Sequence, residues 1–512
     1  MTIRHVPACR TVTGWWVAAP ATAAMALTTA ATAKGLYVSP DSVFYVGTAR
    51  NLLDGVGFRS PPGLQALGHF PPMFTLVIAA VARLGLDPLD AARLVNIAVL
   101  GATVVLVGLV LQTLTRSPLA ALVGATVTAT AVDVLTFSGS ALSEPLFVLL
   151  AVGGLVALAA HMDSRRTAVL VGAAALVALA VLTRYVGVAL VVTGSGVLVW
   201  RGRERRLHGM VDAAVFGAIA LAPVAAWLAW AGQRGPADER TVAVHLFDGA
   251  YLGQASRPLA RWVVPWPGPP VGPVLALVLV VLAAAVLGRS RPADVDRAAS
   301  RSLENLPVLL GAFAVSYLVV LVADRVLIDA TGRLDARFLM PLHVVGVLLA
   351  VRWVWVRRAR TGVAAVAVLV VLAQVTAGMA WAVGGVTDTS ITRRGYSAAA
   401  WRRSTVVARA GAENPTLPVY TNGFDALFLL TGRGGTPIPA EKDYLTGRAN
   451  PRYRDELSAM RADLTQTGGL LVYFDAIIAR RSFLPSRLDL ERALPLEMVA
   501  ADNVGTIYRI RP

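Results

Sequence analysis

The sequence predicts a mainly α, polytopic membrane bundle of about eleven spans, followed by a small C-terminal extracytoplasmic α/β domain. Three observations carry this. Apolar residues make up 56% of the 512 residues and charged residues only 15%, where a soluble domain typically carries about 25% charge. The mean hydropathy is +0.63. Arginine then recurs on alternate connections between the apolar runs, the pattern expected of loops held on the cytoplasmic side.

The runs lie near 14–33, 91–113, 118–138, 141–160, 167–183, 186–200, 210–231, 272–288, 305–323, 338–356 and 362–383. Each is close to the length that crosses a hydrocarbon core. Arg4 and Arg10, Arg116, Arg165-Arg166, Arg201–Arg206, Arg289–Arg301 and Arg352–Arg360 all fall on one side, read as cytoplasmic. Loops 34–90, 232–271 and 324–337 then face outward, as does the tail. The expected division is a transmembrane domain over 1–383 and an extracytoplasmic domain over 384–512. Ala31-Thr-Ala33 resembles a signal-peptidase site. The run before it is long for a signal segment, so it reads as an uncleaved span. Cleavage would leave ten spans with the same sidedness.

The tail changes character. Residues 396–412 have the pattern of an amphipathic helix. Strand-like runs follow at Leu417–Thr421, Gly469–Phe474, Glu497–Ala500 and Gly505–Ile510, punctuated by Gly, Pro and Asn.

Several function classes are excluded by what is missing. The net charge of +16 is nearly all arginine, with Lys34 and Lys442 the only lysines. It sits on cytoplasmic loops between spans, so nucleic acid is not a partner. Cys9 is the single cysteine, which removes disulfides and cysteine-cluster metal sites. Asp294-Val-Asp296 has a nucleotide-sugar spacing but lies in an arginine-rich loop with no domain around it. Gly432-Arg-Gly-Gly435 is a turn, since no helix follows to cradle a phosphate. An enzyme of this composition has to take an activated substrate from the membrane.

The candidate site residues gather at the outer rim. Asp41 follows the first span, and Ser39-Pro40 opens a short amphipathic helix there. It is either a functional carboxylate or a group that caps that helix and offsets its dipole. His69-Phe-Pro-Pro72 opens an apolar helix too short to cross, read as interfacial. His69 contacts a phosphate or acceptor, or is bonded to backbone. Glu144, before Pro145, binds a cation or sugar hydroxyl, or stabilises its helix start; Asp133 is a deeper polar packing residue. Arg184 opposes the positive-inside bias and so needs a partner: a lipid phosphate, or an internal pair with Asp133 or Glu144. Arg337 poses the same question.

These residues lie in segments that resemble the GT-C superfamily of integral-membrane glycosyltransferases. The likeness is to the bacterial glycosyltransferase 39/83-like group, related to the protein O-mannosyltransferases and the lipid A aminoarabinose transferase. The matching pieces are Asp41-Ser-Val-Phe-Tyr45, His69-Phe-Pro-Pro-Met-Phe74, Ser143-Glu-Pro-Leu-Phe147, Leu182-Thr-Arg-Tyr185 and Asp335-Ala-Arg-Phe-Leu-Met-Pro341. In the tail, Val419-Tyr-Thr-Asn-Gly-Phe-Asp425 and Leu430-Thr-Gly432 extend the likeness.

The resemblance implies inverting transfer of a sugar from a polyprenyl-phosphate-linked donor, with Asp41 as base. The acceptor is an envelope glycan, lipid or protein on the outer face of the cytoplasmic membrane. Tyr45, His69, Glu144, Arg184, Tyr185 and Arg337 become the substrate-binding candidates. Some members carry a second acid directly after the first, where this chain has Ser42. The missing second acid argues against a divalent cation (Mg or Mn), for which Asp41 and Glu144 would be the ligands. The rival readings are a transporter or flippase of envelope lipids, and a non-catalytic assembly subunit. A transporter is expected to place its polar and broken helices near the midplane, not at one rim.

Overall fold

A computed structural model describes residues 15–61, 67–202, 206–234, 244, 249–265, 303–328, 333–356, 361–443, 446–481 and 483–510. The expected span at 272–288 and the Asp294-Val-Asp296 motif lie outside these residues.

The other ten expected spans are all helical. Helix α1 (Ala18–Ala31) precedes α2 (Pro40–Leu53) and α3 (Met73–Ala82). Then come α4 (Pro88–Thr115), α5 (Pro118–Thr130), α6 (Val132–Ser138), α7 (Glu144–Ser164), α8 (Thr167–Thr183), α9 (Val188–Arg201) and α10 (Arg206–Gly232). Two short helices, α11 (Gly249–Gly253) and α12 (Ser256–Arg261), precede α13 (Leu306–Leu327), α14 (Ala336–Val356) and α15 (Thr361–Thr387). Six helices among the described residues are by themselves long and apolar enough to cross a membrane, or up to seven if the bent α5–α6 pair is one span. The three other described spans fall short of that length: α1 has 14 residues, α8 has 17 and α9 has 14. Between α5 and α6 Ala131 turns extended, and the axis bends by 56°.

The element that positions the site is α2. Pro40 occupies its first turn, where a missing N–H costs nothing, and Ser39 and Ser42 form a reciprocal capping box. Capping therefore falls to Ser39. The Asp41 carboxylate stays in the favourable first turn but is not consumed as the cap. Residues 42–49 of α2 are all buried. Val43 packs into the core of the tail, while Phe44 and Tyr45 join Phe70 and Phe74 in a separate aromatic core against α3 and α4.

The strand-like stretch before α2 is clamped from both sides. Tyr37 N–H donates to the Gly139 carbonyl at 3.0 Å, and Ala141 N–H donates back to Tyr37. On the other side, Val38 accepts from Tyr396 N–H and donates to the Arg394 carbonyl. Gly395 is required there: its φ is +57°, and a Cβ would lie 2.0 Å from the Val38 carbonyl oxygen. Arg394, itself buried, donates to the carbonyls of Ala31 and Gly35 and of Gly385. It thus satisfies the open carbonyl ends of α1 and α15 together.

The tail forms a five-stranded sheet in the order β2-β1-β3-β5-β4. The strands are β1 (Val419–Thr421), β2 (Thr436–Pro437), β3 (Leu470–Tyr473), β4 (Leu496–Ala501) and β5 (Thr506–Ile510). The first three are parallel, and β5 runs antiparallel to both β3 and β4. All four expected strands are present; β2, only two residues long, has no sequence signal. The helix expected over 396–412 is instead broken into Ala399–Arg402 and Thr405–Ala412. Ser404 stops the first and caps the second, its hydroxyl oxygen accepting from Val407 N–H and its O–H donating to Asp502.

A carboxylate–arginine candidate active site

Four chain segments distant in sequence bring the expected charges together. Asp41 comes from the first turn of α2, Glu144 from the first turn of α7, Arg184 from the C-terminal end of α8 and Arg337 from the start of α14. Asp335 accepts from the Arg337 backbone N–H at 2.9 Å, and so opens α14 and fixes where the guanidinium begins.

The pairing is asymmetric. Arg337 donates through Nη1 to Asp41 Oδ2 at 2.6 Å and through Nε to Glu144 Oε1. Arg184 donates to the same Glu144 oxygen. The second Glu144 oxygen is buried with no partner, and the Glu144 side chain is 1% exposed against 26% for Asp41. Two cations therefore compensate two anions, but only one of the anions reaches solvent. Burial pushes the Asp41 carboxyl up; the charge and hydrogen bond of Arg337 outweigh it, helped by His69 and Arg184, and hold the group below its usual value.

Asp41 and Arg337 open on a cavity of about 510 Å³. Its other walls include Tyr37, Ser39, Gln254, Asp335 and two cations from α12, Arg257 and Arg261. Arg261 pairs with Asp133 at 3.1 Å. Sequence reasoning missed these two arginines and Gln254. They lie in the connection 232–271 without a motif, and the fold brings them to the cavity wall.

The remaining candidates sit around this centre. Arg184 takes the internal partner, Glu144, rather than being free for a lipid phosphate. Tyr45 is buried, its hydroxyl 3.2 Å from Ser143 Oγ, and burial pushes its phenol up to about 12. Tyr185 donates to the Gly68 carbonyl at 2.8 Å and accepts from Trp227 Nε1. It pins the loop carrying His69, whose ring packs on Phe70. The Asp41–Glu144 pair weighed for a divalent cation already shares a guanidinium, so that pair does not fit a metal without displacing Arg337. Among the described residues no group of three or more His, Cys, Asp or Glu converges on a metal position.

The family profile described as dolichyl-phosphate-mannose-protein mannosyltransferase matches residues 69–230. Two crystal structures of ArnT from Cupriavidus metallidurans resemble the whole chain. The first, bound to undecaprenyl phosphate, has a TM-score of 0.60 at 13% identity and covers 97% of this chain and 98% of that one. The chain has the fold of these ArnT structures. The apo ArnT structure has a TM-score of 0.56, also at 13% identity, over 96% and 97% of the two chains. No curated protein matches in sequence. The profile thus covers the segment from His69 through Glu144 and Arg184 to Trp230. The structural likeness extends over nearly the whole chain.

Proposed function

We propose that this GT-C protein transfers a sugar from a polyprenyl-phosphate-linked donor to an envelope acceptor on the outer face of the cytoplasmic membrane, inverting at the sugar carbon, with Asp41 as base. One observation carries the reading: the only solvent-reaching carboxylate of the paired cluster lies 2.6 Å from an arginine, on the wall of a cavity the size of a small substrate. The undecaprenyl phosphate in the similar ArnT structure supports the donor class.

The chemistry balances within these residues. The acceptor hydroxyl gives its proton to the Asp41 carboxylate and its oxygen bonds to the sugar carbon. The bond from that carbon to the phosphate oxygen breaks, and its electron pair leaves with the lipid phosphate. A positioned carboxylate contributes roughly 10²–10⁴-fold. Arg337 and Arg257 stabilise the charge that builds on the departing phosphate, where guanidinium forks suit phosphate oxygens. The tail, tied to Val38 directly before α2, lies against the site and helps select the acceptor.

The test is transfer by the purified full-length protein, using a panel of polyprenyl-phosphate-linked sugars and an envelope extract as acceptor. Transfer from at least one donor, abolished in Asp41→Asn, is expected. Undecaprenyl phosphate that neither binds the protein nor inhibits transfer would remove the donor assignment.

A further inference from the structure

Resting on that reading, we propose that Arg337 is a donor-sensing latch on the base: donor phosphate takes the guanidinium from Asp41, and only then can Asp41 receive the acceptor's proton. Donor binding therefore precedes a productive acceptor encounter.

The argument starts from the inequality of Arg337's two partners. Glu144 is buried, holds Arg184 on the same oxygen, and has no solvent to replace a lost cation. Pulling Arg337 away from it would strand a buried charge, the costly outcome for such clusters. Asp41 is the opposite case. It is partly exposed, lies on the cavity wall, and can exchange its cation for water or for a hydroxyl donor. Glu144 is thus a positioning residue that fixes one end of the guanidinium. The contact with Asp41 is the one a ligand can replace.

The cavity draws an anion to that contact. Arg337, Arg257 and Arg261 line one space with Asp41, and a phosphate attracted by them meets the face of Arg337 that donates to Asp41. While paired, Asp41 is a poor proton acceptor, because protonation would leave the guanidinium facing a neutral group. A phosphate on Arg337 supplies the replacement anion, and its own charge beside Asp41 favours the protonated carboxyl. One event thus frees the base and strengthens it. Without donor the carboxylate stays inert, and neither water nor acceptor is deprotonated to no purpose.

The inference predicts a competition that is measurable without knowing the sugar. Undecaprenyl phosphate is titrated against the full-length protein in detergent, with intrinsic tryptophan fluorescence or ligand-induced thermal shift as readout. Asp41→Asn should bind it about tenfold more tightly than wild type, since the anion no longer competes for Arg337. Asp41→Ser should behave alike, which guards against a folding defect in either variant. In an Arg337→Gln background the gain from Asp41→Asn should shrink to the part that charge repulsion alone gives. Unchanged or weaker binding in both Asp41 variants would overturn the latch. So would a gain that is undiminished without Arg337, since that is simple repulsion of phosphate by Asp41. Failure of the wild type itself to bind would instead remove the donor assignment, a distinguishable result.

Discussion

Arg337 donates to Asp41 and Glu144 at once, joining a carboxylate on the cavity wall to one sealed inside the bundle. The two acids lie 103 residues apart in the chain (144 − 41), and the arginine comes from a third element. Their different exposure decides how each should respond to change.

Asp41→Asn keeps shape and removes charge. Transfer should fall by about two orders of magnitude or more. The start of α2 should survive, because Ser39 and Ser42 cap it. Labelled-sugar transfer and thermal unfolding on the same preparation measure both effects; near-normal transfer would return Asp41 to a structural part.

Arg184→Gln should destabilise. It leaves the buried Glu144 with Arg337 alone, and breaking a buried pair from one side costs roughly 3 kcal/mol or more. Glu144→Gln added to Arg184→Gln should recover much of the loss, since one arginine then again faces one carboxylate. Unfolding midpoints of the two variants give the answer. If undecaprenyl phosphate restored the single variant to wild-type stability, Arg184 would belong to the phosphate site instead.

The pH dependence follows from the depressed Asp41 carboxyl. A group whose folded pKa is lowered contributes stability above its unfolded value, and that stability is lost as pH falls through the folded value. The contribution is therefore intact at neutral pH and disappears only below about pH 4. Acid unfolding should be steeper in wild type than in Asp41→Asn over that range. Equal slopes would mean that Asp41 gains nothing from its arginine in the folded state.

Gly395→Ala should loosen the clamp around Asp41. An alanine at φ +57° is strained, and its Cβ would collide with the Val38 carbonyl. A loss of about 2 kcal/mol is expected. Transfer should drop with it, because Val38 leads directly into α2. Limited proteolysis between residues 384 and 396 reports the loosening; an unchanged digestion pattern and melting point would count against it.

Topology has its own test. With Cys9→Ala as background, single cysteines in loops 34–90 and 324–337 and in the tail should react with an impermeant maleimide in intact cells. Labelling of the tail only after permeabilisation would reverse the assigned sidedness.

The sequence by itself determined the helical membrane class, the position of ten described helices, the four longer tail strands and, in the site, Asp41, Glu144, Arg184 and Arg337. Each of these is written locally. Apolar runs must bury their backbone as helix, alternating runs between Gly and Pro read as strand, and Ser39-Pro40 announces a helix start. Arginines that oppose the charge bias announce a partner without naming it. Only the tertiary structure decided which partner. Arg184 had lipid phosphate and two acids as alternatives, and the packing of α7 against α8 brought it to Glu144. Arg257, Arg261 and Gln254 left no local sign, because a lining position is defined by what faces it. The break at Ser404 was also invisible: its competitor for the backbone, Asp502, lies 98 residues away. Local propensity acts over a turn or two of chain, whereas charge pairing and cavity walls depend on segments that meet only after the bundle has packed.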